Sequence, residues 1–213
     1  SQMTKTTSLW AAGSAAGGLD AGAIAANTWY HVFVIATSDG SGADVIYSTS
    51  ATAPTMTRPG ATYTIKRRVM SVLTNGSSQF VKFYQYGDLV LWDVQFIDYG
   101  GSAFGTAAVT VTLASVPTGV KVIPVGAANW RAGAGVIATW LLTSLDQTDT
   151  APGSQFTYTS DGRGATNPFG SAPLPMIYTN TSGQIRLRSD TSGAAMFFTI
   201  GTAGWIDPRG RNG

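Results

Sequence analysis

The sequence predicts an all-β fold, an antiparallel, jelly-roll-like β-sandwich of about a dozen strands. Three observations carry that prediction. Apolar and polar residues alternate with period two in many short runs rich in Val, Ile, Thr and aromatics, the pattern of half-buried strands. Clusters of Gly, Asn, Asp, Ser and Pro separate these runs at short intervals and reverse the chain. Helical periodicity is nearly absent: the one Ala-rich candidate, residues 13–26, contains Gly17, Gly18 and Gly22, which weaken a helix.

The elements follow in order. Residues 1–26 are predicted as an irregular lead-in, and 27–213 as one sandwich whose halves share a core, with a sub-boundary near 100–106. Residues 28–36 (TWYHVFVIA) open the first strand. The turn 38–42 (SDGSG) joins it to 43–48 (ADVIYS). A long strand spans 63–73, and Asn75-Gly76 signals a hairpin because both residues tolerate the positive φ of a primed turn. Strands 80–86 and 89–97 follow across Gly87-Asp88. In the second half, 109–114 and 120–125 flank Pro117-Thr118-Gly119. Strands are then expected at 135–142, 155–159, 175–179, 184–189 and 195–202, with a last short one at 205–207. Residues 180–183 (NTSG) and 190–193 (DTSG) are turns whose polar side chains can bond nearby backbone. The stretch 161–175, rich in Gly and Pro, has no periodicity and is expected as a long loop.

Composition restricts the chemistry. The chain has 213 residues, no Cys, one His (His31) and no Glu, so all 11 acidic residues are Asp. Few of the groups that catalysis or metal binding uses are present. Charged residues are only 11% of the chain, against about 25% in an ordinary domain, which suits a surface covered by small polar residues or by a neighbouring subunit. The formal charge is +2 and the basic residues are scattered, unlike the concentrated Lys/Arg face of a nucleic-acid binder. Without Cys there is neither a disulfide framework nor a thiolate site. No apolar run approaches the roughly 20 residues that span a bilayer. Ser1-Gln2 ahead of Met3 reads as a tag remnant, and the N-terminus lacks the pattern of a signal peptide.

Each candidate site has a plainer structural alternative. His31, in an alternating strand, would need a carboxylate and a nucleophile to act as a base, and is read as a hydrogen-bonded strand histidine. The pairs Asp88/Asp93 and Asp146/Asp149 could in principle serve a glycosidase, and Asp39/Asp44 or Asp146/Asp149 could contribute to calcium binding. Turn stabilisation is the favoured reading of all of them. The expectation is no enzyme, no metal and no cofactor. Arg186/Arg188 and Lys66/Arg68 each share a strand face and are read as solvated or paired with Asp, the alternative being attraction to an anionic capsule or lipopolysaccharide. Trp130 differs: Asn129-Trp130-Arg131 lies among Ala and Gly with no clear alternation. An indole in a small-residue loop can stack on a sugar ring while Asn and Arg bond its hydroxyls or acidic groups. The alternative is a Trp that anchors the loop to the core. Arg163 and Asn167, with Phe169, form a second such group in the long loop.

An ordered series of segments carries a resemblance. NTWYHVFVI (27–35), DVIYSTSATAPT (44–55), YTIKRRVMSVLTNGSS (63–78), Gly87-Asp88, Leu91-Trp92, TNTSGQIRLRS (179–189) and GWIDPRGR (204–211) together resemble a β-rich module of phage tail-fibre and spike proteins, from phages and prophages of Gram-negative bacteria. The resemblance covers most of the chain and brings no catalytic residue set. Residues 127–134 and 161–175 look like local variants of the pattern, and variable loops on a fixed scaffold are where receptor contacts concentrate. The resemblance implies a homotrimeric module on the virion surface, joined to other virion proteins through a region N-terminal to residue 1. The expected function is recognition of a bacterial cell-surface polysaccharide without cutting it, through Asn129, Trp130, Arg131, Arg163 and Asn167. A structural trimerisation or decoration domain is the alternative, and a small glycan hydrolase the third.

Overall fold

A computed structural model describes residues 2–58, 61–153, 157–161 and 169–209. Its described residues are all-β, with sixteen strands and no helix. The chain divides into two compact units: residues 1–81 with 208–213, and residues 82–207. The second unit is thus an insertion between Val81 and Pro208 of the first. This corrects the single sandwich expected for 27–213. The expected boundary near 100–106 falls on the C-terminal end of a 16-residue strand, Leu89–Phe104. Gly100-Gly101 reads as a linker in sequence, but both residues pair with the neighbouring strand, opposite Thr199 and Phe198.

The first unit is built on one five-stranded sheet. Its strands are β1 (Lys5–Leu9), β2 (Ala16–Leu19), β3 (Trp29–Ala36), β4 (Ala43–Ser48) and β7 (Ile65–Leu73), in the order β1-β2-β4-β3-β7. A small hairpin, β5 (Thr57–Arg58) with β6 (Ala61–Thr62), lies between β4 and β7 in sequence. The expected lead-in is therefore strand in part, with β1 parallel to β2 and β2 parallel to β4. Gly17 explains why this was hidden: a Cβ there would stand 1.9 Å from the Leu9 carbonyl oxygen, so glycine lets the two backbones close. Trp10, Phe33, Ile35, Ile46 and Tyr63 form the buried cluster of this unit, with Met56 against it.

The second unit is a jelly roll. One sheet has the order β14-β11-β16-β9-β8, from Phe169–Pro173, Ile123–Arg131, Gly193–Ile206, Leu89–Phe104 and Phe83–Tyr86. The other has the order β10-β15-β12-β13, from Val109–Thr112, Gln184–Ser189, Ile137–Thr143 and Tyr158–Asp161. From β9 to β16 the strands pair in a nested series, β9 beside β16, β10 beside β15, β11 beside β14 and β12 beside β13, with successive pairs in alternate sheets, the arrangement of a jelly roll. The inward faces meet through aromatic rings. Trp140 of β12 lies 5.8 Å from Phe198 of β16 and 6.4 Å from Phe104 of β9; Tyr158 of β13 lies 4.8 Å from Trp130 of β11.

Several boundaries move. Residues 169–173, expected within a loop, form edge strand β14, while 175–179 stay outside the strands. The two expected strands 195–202 and 205–207 are one strand kept continuous through bulges. The chain does reverse at Asn75-Gly76, but not through the expected primed turn: the positive φ falls at Ser78 and not at Asn75 or Gly76, and only a single bridge, Thr74 to Phe80, follows, because β8 already belongs to the second unit.

Candidate functional site

The outward face of the five-stranded jelly-roll sheet gathers the notable surface chemistry. Side chains alternate across a strand, so β11 sends Ala128 and Trp130 inward and Ala127, Asn129 and Arg131 outward. Register then fixes the rows. Arg131 lies between Phe169 of β14 and Phe197 of β16; Asn129 lies between Ser171 and Thr199. The guanidinium carbon is 5.6 Å from the Phe169 ring centroid and 5.7 Å from that of Phe197. This is a cation flanked by two aromatic rings, an arrangement that is attractive through the ring quadrupoles. Phe169 is 70% exposed, although it belongs to an ordered edge strand. Arg131 Nε is buried and has no hydrogen-bond partner among the described residues.

Trp130 is corrected in place and in role. It stands in a strand and not in a loop, is 7% exposed, and donates its Nε1–H to the Thr159 carbonyl at 3.1 Å. Its ring packs against Tyr158 and stacks near-parallel to Phe198. A Cβ at Gly170 would lie 2.3 Å from its indole, so the β14 backbone also rests on the ring. No sugar can reach a ring so enclosed. The run Ala-Ala-Asn-Trp-Arg-Ala hid its alternation because inward Ala128 and outward Ala127 are the same residue type. Asn129 and Arg131 do share one outward face, as their spacing of two on a strand requires. Arg163 and Asn167 lie outside the described residues. Phe197 was missed altogether: a Phe in an aromatic-rich strand reads as core, and only the register shows it beside Arg131.

The other candidates take structural positions. His31 is buried, with Nδ1 2.9 Å from Ser71 Oγ, which also accepts from Arg68 Nη1 at 3.3 Å. Asp93 pairs with Lys82 at 3.1 Å and accepts from the Tyr84 hydroxyl at 2.9 Å. Those two hydrogen bonds, the one from Lys82 first, hold its carboxyl below the ordinary carboxylate value. Asp146 pairs with Lys121 at 2.6 Å. Asp149 meets Arg188 Nη1 at 3.0 Å and Arg186 Nε at 3.8 Å, so the two strand arginines share one carboxylate. Asp39 stabilises its turn by accepting from Ser41 N and Oγ. Among the described residues, no three His, Asp or Glu side chains converge as a metal site would require.

Other large apolar or aromatic side chains are exposed on β8 and β9 of the same sheet. Tyr84 and Tyr86 on edge strand β8, with Val94 and Ile97 on β9, are exposed, the last at 81%. No family model, no curated protein and no solved structure matches the chain.

Proposed function

We propose that this chain is a phage fibre or spike module that binds a bacterial cell-surface polysaccharide and leaves it uncut. The observation that carries the reading is the outward row Phe169–Arg131–Phe197 with the amide of Asn129 and the hydroxyls of Ser171 and Thr199 beside it. The exposed Phe169 ring would take the apolar side of a sugar, while amide, hydroxyl and guanidinium groups take its polar edge. The site is shallow and lies on strands, so its geometry is set by the sheet. Binding through one such face is weak, and a homotrimer would present three copies, raising avidity roughly 10²–10⁴-fold. The resemblance to fibre and spike modules supports the virion setting.

The test is binding of the full chain to purified envelope polysaccharide and to whole cells of candidate Gram-negative hosts. Binding that is lost in Arg131→Ala and Phe169→Ala, with near-ultraviolet circular dichroism unchanged and no new reducing ends, is the expected result. Release of reducing ends, or binding indifferent to both substitutions, overturns it. The second reading, a trimerising or decorating domain without a receptor, is favoured by the exposed Tyr84, Tyr86, Val94 and Ile97. Sedimentation decides its part: loss of self-association in Ile97→Ser with glycan binding absent throughout would establish it.

A further inference from the structure

We infer that the Phe169–Arg131–Phe197 row selects a carboxylated sugar, a uronic or ulosonic acid residue, within the polysaccharide. The inference rests on the glycan-binding reading and names the ligand class of that same site. The first ground is charge. In the second unit the described cations Lys82, Lys121, Arg186 and Arg188 each meet an Asp carboxylate within 4.0 Å. Arg131 meets none among the described side chains; it meets two aromatic rings instead. A cation placed against ring faces keeps its positive charge for an incoming anion, because the rings attract it without neutralising it.

The second ground is the shape of the group. A guanidinium is planar, permanently charged, and presents paired N–H donors that match a carboxylate through two parallel hydrogen bonds. Rings on both sides limit rotation of that plane, so little freedom is lost when the anion arrives. Nε is buried and has no hydrogen-bond partner among the described residues, so the paired donors offered to an anion are the two terminal Nη groups. The third ground is the surroundings. Asn129, Ser171 and Thr199 lie one row along, about 7 Å away by strand geometry, a spacing that suits hydroxyls across a pyranose ring whose carboxylate sits on Arg131. One guanidinium supplies a single positive charge, which balances one carboxylate and not a phosphate dianion.

The experiment uses the full chain on a glycan array that prints uronate- and sialate-bearing glycans beside their carboxyl-reduced counterparts, with neutral and phosphorylated glycans on the same surface. Carboxylated glycans are expected among the bound set, and reduction of the carboxyl should weaken binding roughly 10- to 100-fold, the scale of a lost charged hydrogen bond. Arg131→Lys should keep part of that preference and Arg131→Gln should abolish it, both with unchanged circular dichroism. Binding of neutral or phosphorylated glycans in preference, or equal binding after carboxyl reduction, overturns this inference alone and leaves the glycan-binding reading standing. Binding to no glycan overturns both.

Discussion

The two units solve the same problem, burying one face of a sheet, with different materials. The jelly roll closes two sheets over aromatic rings: Trp130, Trp140, Tyr158 and Phe198 sit within 6.4 Å of one another in successive pairs. The first unit has one main sheet and relies on a buried polar tie. Asp44, on β4, accepts from Lys5 Nζ at the start of β1, from Trp10 Nε1 at 2.8 Å and from the Gly13 amide at 3.2 Å. Both charged side chains of that pair are buried, at 6% and 0% exposure. One carboxylate thus holds the N-terminal strands onto the sheet. The jelly roll joins its sheets through aromatic contacts spread over many residues, whereas the first unit adds to its apolar cluster of Trp10, Phe33, Ile35, Ile46 and Tyr63 a buried ion pair that is costly to break from one side. Its response to substitution and to pH should differ accordingly.

The largest expected effect breaks the aromatic half. Trp140→Ala removes a fully buried side chain and should destabilise the second unit by about 3–5 kcal/mol. Trp10 and Trp29 report on the first unit, and the remaining four tryptophans on the second. If the units unfold separately, the Trp140→Ala protein should show an early fluorescence transition of the second unit, followed by a later one of the first. A single transition shifted as a whole would mean that they unfold as one.

How much of this was legible in the sequence follows from the same contrast. Residues 184–189 (QIRLRS) alternate cleanly between apolar and polar residues, and 43–48 (ADVIYS) follow a turn cluster and are rich in β-formers; the structure places both with those bounds. The pattern fails where glycine or alanine occupies the inward position. Ala16–Leu19 and Phe169–Pro173 are strands whose inward side chains were removed so that a neighbour could approach, the Leu9 backbone in one case and the Trp130 indole in the other. The site was half legible for a related reason. Asn129 and Arg131 could be singled out by residue type, but Phe169 and Phe197 become their neighbours only through pairing of strands far apart in sequence. The buried tie at Asp44 was invisible, because an Asp in an alternating strand and a Lys 39 residues earlier give no periodic signal.

Next in size is the polar half. Burial opposes the charge on Asp44, but hydrogen bonds from Lys5, Trp10 and the Val45 amide outweigh it and hold the carboxyl below its ordinary value of 3.8. A carboxyl with a depressed folded value contributes stability that is present above its unfolded value and is lost as pH falls through the folded one. The first unit should therefore loosen below about pH 4, seen as loss of Trp10 fluorescence. Asp44→Asn, measured at neutral pH, leaves Lys5 buried without its counter-charge and should cost about 3 kcal/mol. It should also flatten the acid dependence. An acid profile of the first unit unchanged by Asp44→Asn would show that some other carboxylate sets it.

The smallest effects come from a turn that the units share. In the first, Asn75 Oδ1 accepts from the amides of Ser77 and Gln79, and Asn75 N donates to the Gln79 carbonyl. In the second, Asn180 Oδ1 accepts from Ser182 and Gln184, and Asn180 N donates to the Gln184 carbonyl. The fourth residue takes positive φ in both, but it is Ser78 at 59° in one and Gly183 at 70° in the other. An L-residue in the left-handed region carries a penalty of about 1–2 kcal/mol that glycine avoids. Glycine also loses more chain entropy on folding, about 0.4–1 kcal/mol, so the two terms partly cancel. Gly183→Ala adds a contact as well, since its Cβ would stand 3.2 Å from the Leu113 carbonyl oxygen. That variant should lose about 1–2 kcal/mol from the second unit, while Ser78→Gly should raise the first by about 0.5 kcal/mol. Thermal melts of the two variants read the opposite signs directly. If both move the same way, the shared hydrogen bonds outweigh the residue at the left-handed position, and the turns are equivalent despite their difference in sequence.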